Sequence, residues 1–582
     1  MLEKLEYEKY QKLNLKYQRI VGRLANIRLI LFILMILSFI LKYYYYEKIF
    51  QVIFILSLIS FVIMVIVHDK YYQIYDYYSK YMLVLEQYVN RLNGKWKEFP
   101  DTGIDFDQND KAYLRDLDII GNCSLFQYLS VCKTLGGRER LFHKLSDVKI
   151  SAKRLKEHQE AIKELASCIS FGIDFQISMM EYENKNVYLS EKCSLFQVNF
   201  FARKIEFFIG CIFSFLSILF LSLGLLKVVS LKYFYGIFLF NFIISLFYSY
   251  LFRKEFRTMD SIIQSYAKLK GVFLNVVSFS FVSSLLKDIQ QNMRDGLGYI
   301  EKLSKFDTVN SLRNNFLGNF VFNGLCCVNL IQLYQFSKSF SGTLEDFKKS
   351  ILDIEELESL ISVASLGVVR DHKCMPVMSQ EIGINFMELQ HPLLDEKICV
   401  PNDFSTSAGI DIITGSNMGG KTSFMRTVGV NLILMYAGGY VCASSFEASY
   451  FKIFTSMRIA DDIEKGISTF YGELLRIKDA IDYVDKGNML VLIDEIFKGT
   501  NYQDRIYGAC EVIERLNTEK TITFITTHDF ELCEVDNVRN YHVQEYYEGD
   551  KICFDYKIRK GKCVSTNAKY LMKKLGIIQQ ID

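Results

Sequence analysis

The sequence predicts an α-helical, membrane-spanning region followed by an α/β domain on a mainly parallel sheet. Three observations point there. Long apolar runs are confined to the first half of the 582 residues, prolines number only 4, and after about residue 370 short β-rich runs alternate with helices. The length is too great for a single core, so two or more units are expected. A net charge of +2 excludes a global field for nucleic acid, and any such contact needs a local basic patch.

Residues 1–28 are rich in charge and predict a cytoplasmic helix, not the short n-region and small-residue cleavage site of a signal peptide. The first transmembrane hairpin is placed at 29–67. Leu29–Leu41 runs on into the tyrosines 43–46, and Ile49–Val67 is 19 residues without a charge. The second is placed at 207–252, where Phe207–Leu226 and Tyr233–Phe252 are 20 uncharged residues each. A hydrocarbon core of about 30 Å takes roughly 20 helical residues, and the tyrosines suit the headgroup zone. The linkers KYYYYEK (42–48) and KVVSLK (227–232) are too short for anything but helical hairpins.

Basic residues set the orientation. Lys4, Lys9, Lys12, Lys16, Arg19, Arg23 and Arg28 precede the first run, and Arg203, Lys204, Arg253, Lys254 and Arg257 flank the second pair. Each hairpin linker carries two lysines. The N-terminus, the middle segment and the C-terminal half are therefore expected on the cytoplasmic side of a multi-pass cytoplasmic-membrane protein. Residues 68–206 and 253–370 read as helical core segments with solvated charged faces. A further apolar run, Phe316–Leu333, is interrupted by Asn319, Asn323, Asn329 and Gln332 and is expected as a buried cytoplasmic helix. The 14 cysteines and seven histidines show no metal-ligand spacing, which predicts buried free thiols and no structural zinc.

Residues 371–582 are the α/β domain. The run GIDIITGSNMGGKTSFMR reads as strand, glycine loop and helix, and satisfies G-x-x-x-x-G-K-[ST] with Gly415, Gly420, Lys421 and Thr422. Glycines in that order let backbone N–H groups curl around phosphates at a positive helix N-terminus. ATP contacts are expected from Gly415, Ser416, Asn417, Met418, Gly419, Gly420, Lys421, Thr422 and Ser423. Lys421 neutralises phosphate oxygens, and the Thr422 hydroxyl suits Mg²⁺. A second strand, NMLVLIDEIFKGTN (488–501), delivers Asp494 for Mg²⁺ and Glu495 to polarise the attacking water. A third, TITFITTH (521–528), ends at His528, a candidate γ-phosphate sensor.

These segments, with STFYGE and FITTHDFEL, follow the order and spacing of the MutS mismatch-repair ATPases, a group within the ABC-type P-loop ATPases. The resemblance spans roughly 380–575 and includes ELQHPLL (388–394) and CVPND (399–403). It implies that Asn417 contacts nucleotide and that Ser468 and Glu473 belong to a signature helix acting on the γ-phosphate of the opposite subunit. It further implies that Asp461 and Asp462 are the family's acidic pair, and that Asn501 lies in a loop crossing the dimer interface. A homodimer with two composite ATP sites follows, together with binding of double-stranded DNA, mismatched or branched. A weaker resemblance to the start of the MutS core runs through 114–146. The chain departs from the family where the first hairpin replaces a mismatch-reading domain and the second replaces the clamp. Ser416 stands in place of the usual proline, and Thr422-Ser423 inverts the usual Ser-Thr order. Two alternatives stand beside this reading: an ABC-type transporter, which the STFYGE signature disfavours, and a nucleotide-gated scaffold, which Lys421, Asp494 and Glu495 disfavour.

Overall fold

A computed structural model describes residues 6–45, 48–107, 111–146, 151–180, 204–340, 345–458, 469–498, 500–548 and 551–563. The chain divides into two compact units, one made of Met1–Trp96 and Cys168–Glu181, the other of Lys97–Ser167 and Tyr182–Asp582.

In the first unit, α1 (Tyr7–Tyr45) and α2 (Lys48–Leu92) form an antiparallel hairpin. Ring contacts hold it along its length: Tyr10 on Tyr81 at 3.9 Å, Tyr17 on Tyr78 at 5.4 Å, Phe32 by Phe61 at 5.8 Å and Phe39 by Phe54 at 5.6 Å. At 1.5 Å per residue, helices of 39 and 45 residues reach about 58 and 68 Å, twice a hydrocarbon core. The apolar half is inside-out. Leu29, Ile30, Phe39, Leu56 and Ile66 face outward, whereas Ser38 and Ser57 are buried. Each serine satisfies its hydroxyl on its own helix, Ser38 on the Met35 carbonyl and Ser57 on that of Phe54. The polar half of α2 is a tyrosine-rich stalk. There Tyr77 donates to Asp174 at 2.7 Å and Tyr88 accepts from Gln176 at 3.0 Å.

The second unit begins with short helices α3 (Ala112–Asp116) and α4 (Leu125–Leu129), then α5 (Leu135–Ser146) and α6 (Ala152–Ser167). The short α7 (Ile169–Met180) belongs to the first unit. Next come α8 (Lys204–Leu225) and α9 (Leu231–Leu251), again with apolar side chains outward (Phe215, Phe247) and Ser217, Asn241 and Ser245 inward. Four helices, α1, α2, α8 and α9, are thus long and apolar enough to cross a membrane. The remaining helices are α10 (Arg253–Tyr266), α11 (Lys270–Ser278), α12 (Ser284–Asn314), α13 (Phe316–Cys326), α14 (Val328–Ser339) and α15 (Glu345–Val369). The run expected as one buried cytoplasmic helix is instead the pair α13–α14, bent by 85° at Cys327. Its outer face is open, with Phe316 at 82% and Leu317 at 70% exposure.

Helix α15 is the buried spine of this unit. Glu358 accepts from the Thr134 hydroxyl and, at 2.8 Å, from the Lys133 N–H. A Cβ on Gly137 would lie 2.2 Å from Glu358 Oε2, so glycine is what lets α5 lie this close. Burial pushes the Glu358 carboxyl up to about 7.

The α/β domain carries two sheets. The larger has the order β10-β9-β4-β8-β7-β6, with β4 (Gly409–Thr414), β6 (Lys452–Ser456), β7 (Met489–Asp494), β8 (Thr521–Thr526) and β9 (Val538–Glu548) parallel. Only β10 (Lys551–Lys560) runs antiparallel. The central strands β4 and β8 are buried at every position, as strands covered on both faces must be. One face is covered by α17 (Thr469–Ile481) and α18 (Tyr502–Leu516) through Ile412, Val491, Ile493, Ala509 and Ile513. The smaller mixed sheet, β1 (Val377–Met378), β5 (Ser445–Ala448), β2 (Gly383–Leu389) and β3 (Asn402–Ser407), was not anticipated from the sequence. Phe404 on β3 packs at 5.3 Å from Phe424 of α16 (Lys421–Tyr436) and 5.6 Å from Phe524 of β8, joining the two sheets around α16.

Candidate nucleotide site

β4 ends at Thr414, and the chain turns through Gly415 into a loop that closes on the N-terminus of α16. Gly415 has φ +128°, and a Cβ there would meet the Val543 carbonyl at 2.5 Å. Both facts require glycine. Gly420, at φ +92°, is the residue from which α16 starts. Between them the Gly419 N–H donates to the Ser416 carbonyl at 3.1 Å, Met418 stands exposed, and Asn417 opens a single 3₁₀ turn. The side chain of Asn417 lies outside the described residues. Lys421 folds back, its ammonium donating to the Gly415 carbonyl at 2.7 Å, so the loop is clasped by its own lysine. Burial lowers the lysine pKa, opposed by Glu495 and Asp494.

The next two side chains behave differently. Thr422 Oγ1 sits 2.9 and 2.8 Å from the two oxygens of Asp494, while Ser423 is exposed. Asp494 is the last residue of β7, beside β8, and also accepts from Thr526 Oγ1 at 2.6 Å. Thr526 then accepts from the Glu495 N–H through the same hydroxyl at 3.0 Å. That hydroxyl fixes the turn presenting both acids, a role not anticipated from the sequence although TITFITTH contains the residue. Glu495 (φ +57°) is in the left-handed region, a conformation uncommon for a side-chain-bearing residue and one that concentrates at functional turns.

Glu495 pairs with Lys498 at 2.8 Å and has His528 Nε2 3.6 Å away. Burial works against its charge, but Lys498 and then His528 and Lys421 bring its pKa below the usual carboxylate value. Burial and Lys421 lower that of His528. Lys421, Thr422, Asp494, Glu495 and His528 are thus brought together at the C-terminal ends of β4, β7 and β8. A threonine hydroxyl and a carboxylate converging there are hard oxygen donors of the kind Mg²⁺ takes, with room in its shell for water.

Glu473 lies behind this edge. It is buried on α17, and its carboxylate accepts from the Phe497 N–H at 2.6 Å. Burial pushes its pKa up to about 7. Asn501 caps α18 by accepting from the Asp504 N–H at 2.9 Å. Ser468, Asp461 and Asp462 lie outside the described residues.

Residues 411–578 match the family model of MutS domain V, which is the ATPase domain of that family. The matched stretch contains every side chain of the cluster.

Proposed function

We propose that the chain is a membrane-anchored, dimeric MutS-like ATPase that hydrolyses Mg-ATP, a reading supported by the match of residues 411–578 to MutS domain V. The observation that carries this is the meeting of Lys421, Thr422, Asp494, Glu495 and His528 on one edge of a parallel sheet.

In this reading the backbone N–H groups of 415–420 and the ammonium of Lys421 hold the phosphates at the N-terminus of α16. Release of Lys421 from the Gly415 carbonyl accompanies binding. Thr422 and Asp494 hold Mg²⁺, which offsets the charge of the triphosphate. Glu495 orients and deprotonates water for attack on the γ-phosphorus, after leaving Lys498, and His528 reads the γ-phosphate. Ser468 and Asn501 act across the dimer interface, so each of two composite sites needs both subunits. Closing and reopening the heads moves α15, which is tied to α5 by Glu358 and leads into the α/β domain at Arg370, a donor to the Pro392 carbonyl.

The hairpins anchor the protein in the cytoplasmic membrane with the ATPase domain in the cytoplasm. The support is their inside-out polarity, apolar outside and hydroxyls or amides inside. DNA, mismatched or branched, is the ligand class the family implies, in a chain whose net charge of +2 offers no global attraction.

The test is steady-state ATPase of the full chain in nanodiscs, wild type against Glu495→Gln, with homoduplex, mismatched and branched DNA across a salt series. Glu495→Gln is expected to bind ATP and lose turnover by on the order of 10²–10⁴-fold. Equal turnover would leave only a nucleotide-gated scaffold. DNA that acts by charge neutralisation loses its effect steeply as salt rises.

A further inference from the structure

The bent pair α13–α14 has an outer face that no part of the described chain covers, and it sits against α8 and α9. Its direction follows from its contacts. At its start, Arg313 donates to Asp260 at 2.5 Å and lies 4.8 Å over the Phe256 ring, so α12 ends level with the base of α9. From there α13 climbs. Phe320 meets Phe242 and Phe238 at 5.0 and 5.1 Å, and the Gly324 carbonyl accepts from Asn241 Nδ2 at 3.0 Å. Asn241 is in the middle of α9 (Leu231–Leu251) and, at 1.5 Å per residue, about 15 Å from its base. The backbone then breaks at Cys327 (φ +42°) and turns by 85°. Return is to the same end: Asn329 Nδ2 donates to Ser249 at 2.6 Å, and Tyr334 packs 4.6 Å from Phe207 at the start of α8.

Of the four amides that interrupt this run, the three asparagines are partnered within the protein, and Gln332 is buried against the protein without a side-chain hydrogen bond. Asn319 donates to the Arg313 carbonyl at 3.0 Å, Asn323 donates to Asn319 at 3.1 Å, and Asn323 Oδ1 accepts from the Asn329 N–H at 3.0 Å. The asparagines therefore impose little of the penalty of naked amides in hydrocarbon, and Gln332 is turned away from the outer surface. Leu317 and Val321, opposite the asparagines, are exposed, as are Phe316 at the start of the helix and, at its flanks, Phe322 and the outer part of Phe320, which also touches α9. At the base, exposed Lys204, Arg253, Lys254 and Arg257 form a basic fringe suited to anionic headgroups.

We propose that α13–α14 is a re-entrant element that enters the bilayer from the cytoplasmic side, turns at Cys327 near mid-depth and returns, with the 316–322 face against lipid acyl chains. This rests on the membrane-anchored reading of α8 and α9. It places lipid contact directly between α12 and α15.

The chain has one tryptophan, Trp96, which makes the test clean. In a Trp96→Phe background, Phe320→Trp is reconstituted as full chain in nanodiscs with lipids brominated on the acyl chains. Val321→Trp is a second variant, and Phe215→Trp on α8 is the reference. Expected are blue-shifted emission and brominated-lipid quenching comparable with Phe215→Trp, with little quenching by iodide. Iodide quenching overturns the proposal in favour of a water-exposed helix. Protection from both quenchers overturns it in favour of a protein partner, a second copy included. Failure of brominated lipid to quench Phe215→Trp sinks the membrane reading itself, which separates the two failures.

Discussion

Arg476 Nη1 lies 3.0 Å from Oδ2 of Asp116, a carboxylate with no exposure at all. The same carboxylate accepts from Thr455 Oγ1 at 2.7 Å and from the N–H groups of Met457 and Arg458, each at 3.2 Å. One acid of α3 therefore ties β6 to α17, and α17 carries Glu473 one turn before Arg476. Glu473 in turn holds the Phe497 N–H, two residues beyond Glu495. A continuous set of hydrogen bonds joins the helical core to the turn that presents the candidate base.

Asp116→Ala is expected to destabilise the unit by about 3–5 kcal/mol, because a guanidinium and three further donors lose a buried partner. Arg476→Ala, at a half-buried site with the other donors intact, costs about 1 kcal/mol. Urea midpoints read from protease resistance in nanodiscs check both. Equal midpoints for the two variants would contradict the assignment of Asp116 as the hub.

Thr422→Val removes the hydroxyl between the two Asp494 oxygens while keeping shape. Turnover is expected to fall on the order of 10²-fold, as when one oriented polar group is removed from a phosphoryl site. Thr422→Ser keeps the oxygen and most of the activity. A Mg²⁺ titration of ATPase separates the cases, since Thr422→Val needs more metal and Thr422→Ser does not. Similar Mg²⁺ curves for wild type and Thr422→Val would remove Thr422 from the metal site.

Glu473 gives a pH signature. Its folded pKa, about 7, is above the ordinary glutamate value of 4.5. The folded state thus holds its proton more tightly, and the contribution, full below 4.5, is lost as pH rises to about 7. Glu473→Gln retains an oxygen for the Phe497 N–H and removes the titration. The stability difference between wild type and Glu473→Gln is expected to shift against wild type across that window and to level off above it. Melting temperatures from pH 4.5 to 8 measure this, and a flat difference would place the carboxyl in water.

Much of this site was legible in the sequence because it is local. The spacing from Gly415 to Thr422, the acids ending a six-residue apolar strand and the histidine ending the next all map onto adjacent parallel strands. The hairpins were legible for the same reason, from uncharged runs of spanning length. What escaped is non-local or depends on partners. Asp116 meets residues some 340 positions away, and the four-stranded sheet assembles from segments separated by α16. At 316–333 the asparagines argued for burial away from lipid, because a sequence does not display that Asn323 finds Asn319 and Asn329 as partners. The break there falls on a cysteine in the left-handed region, which carries none of the signal of a glycine.

The contact of α5 with α15 supplies the final prediction. Gly137→Ala puts a methyl 2.2 Å from Glu358 Oε2 and 3.0 Å from its Cβ. The carboxylate cannot swing aside freely, since Thr134 and the Lys133 N–H hold it. Separation of α5 from α15 is the remaining response, and overpacking of this kind costs about 1–3 kcal/mol. Gly298→Ala, on α12, meets nothing within 4 Å and is expected to stabilise by up to about 1 kcal/mol. Melting temperatures moving in opposite directions for the two alanines, on one background, would tie the effect of Gly137 to its closeness to α15. Movement in the same direction would show that the glycine is there for backbone freedom alone.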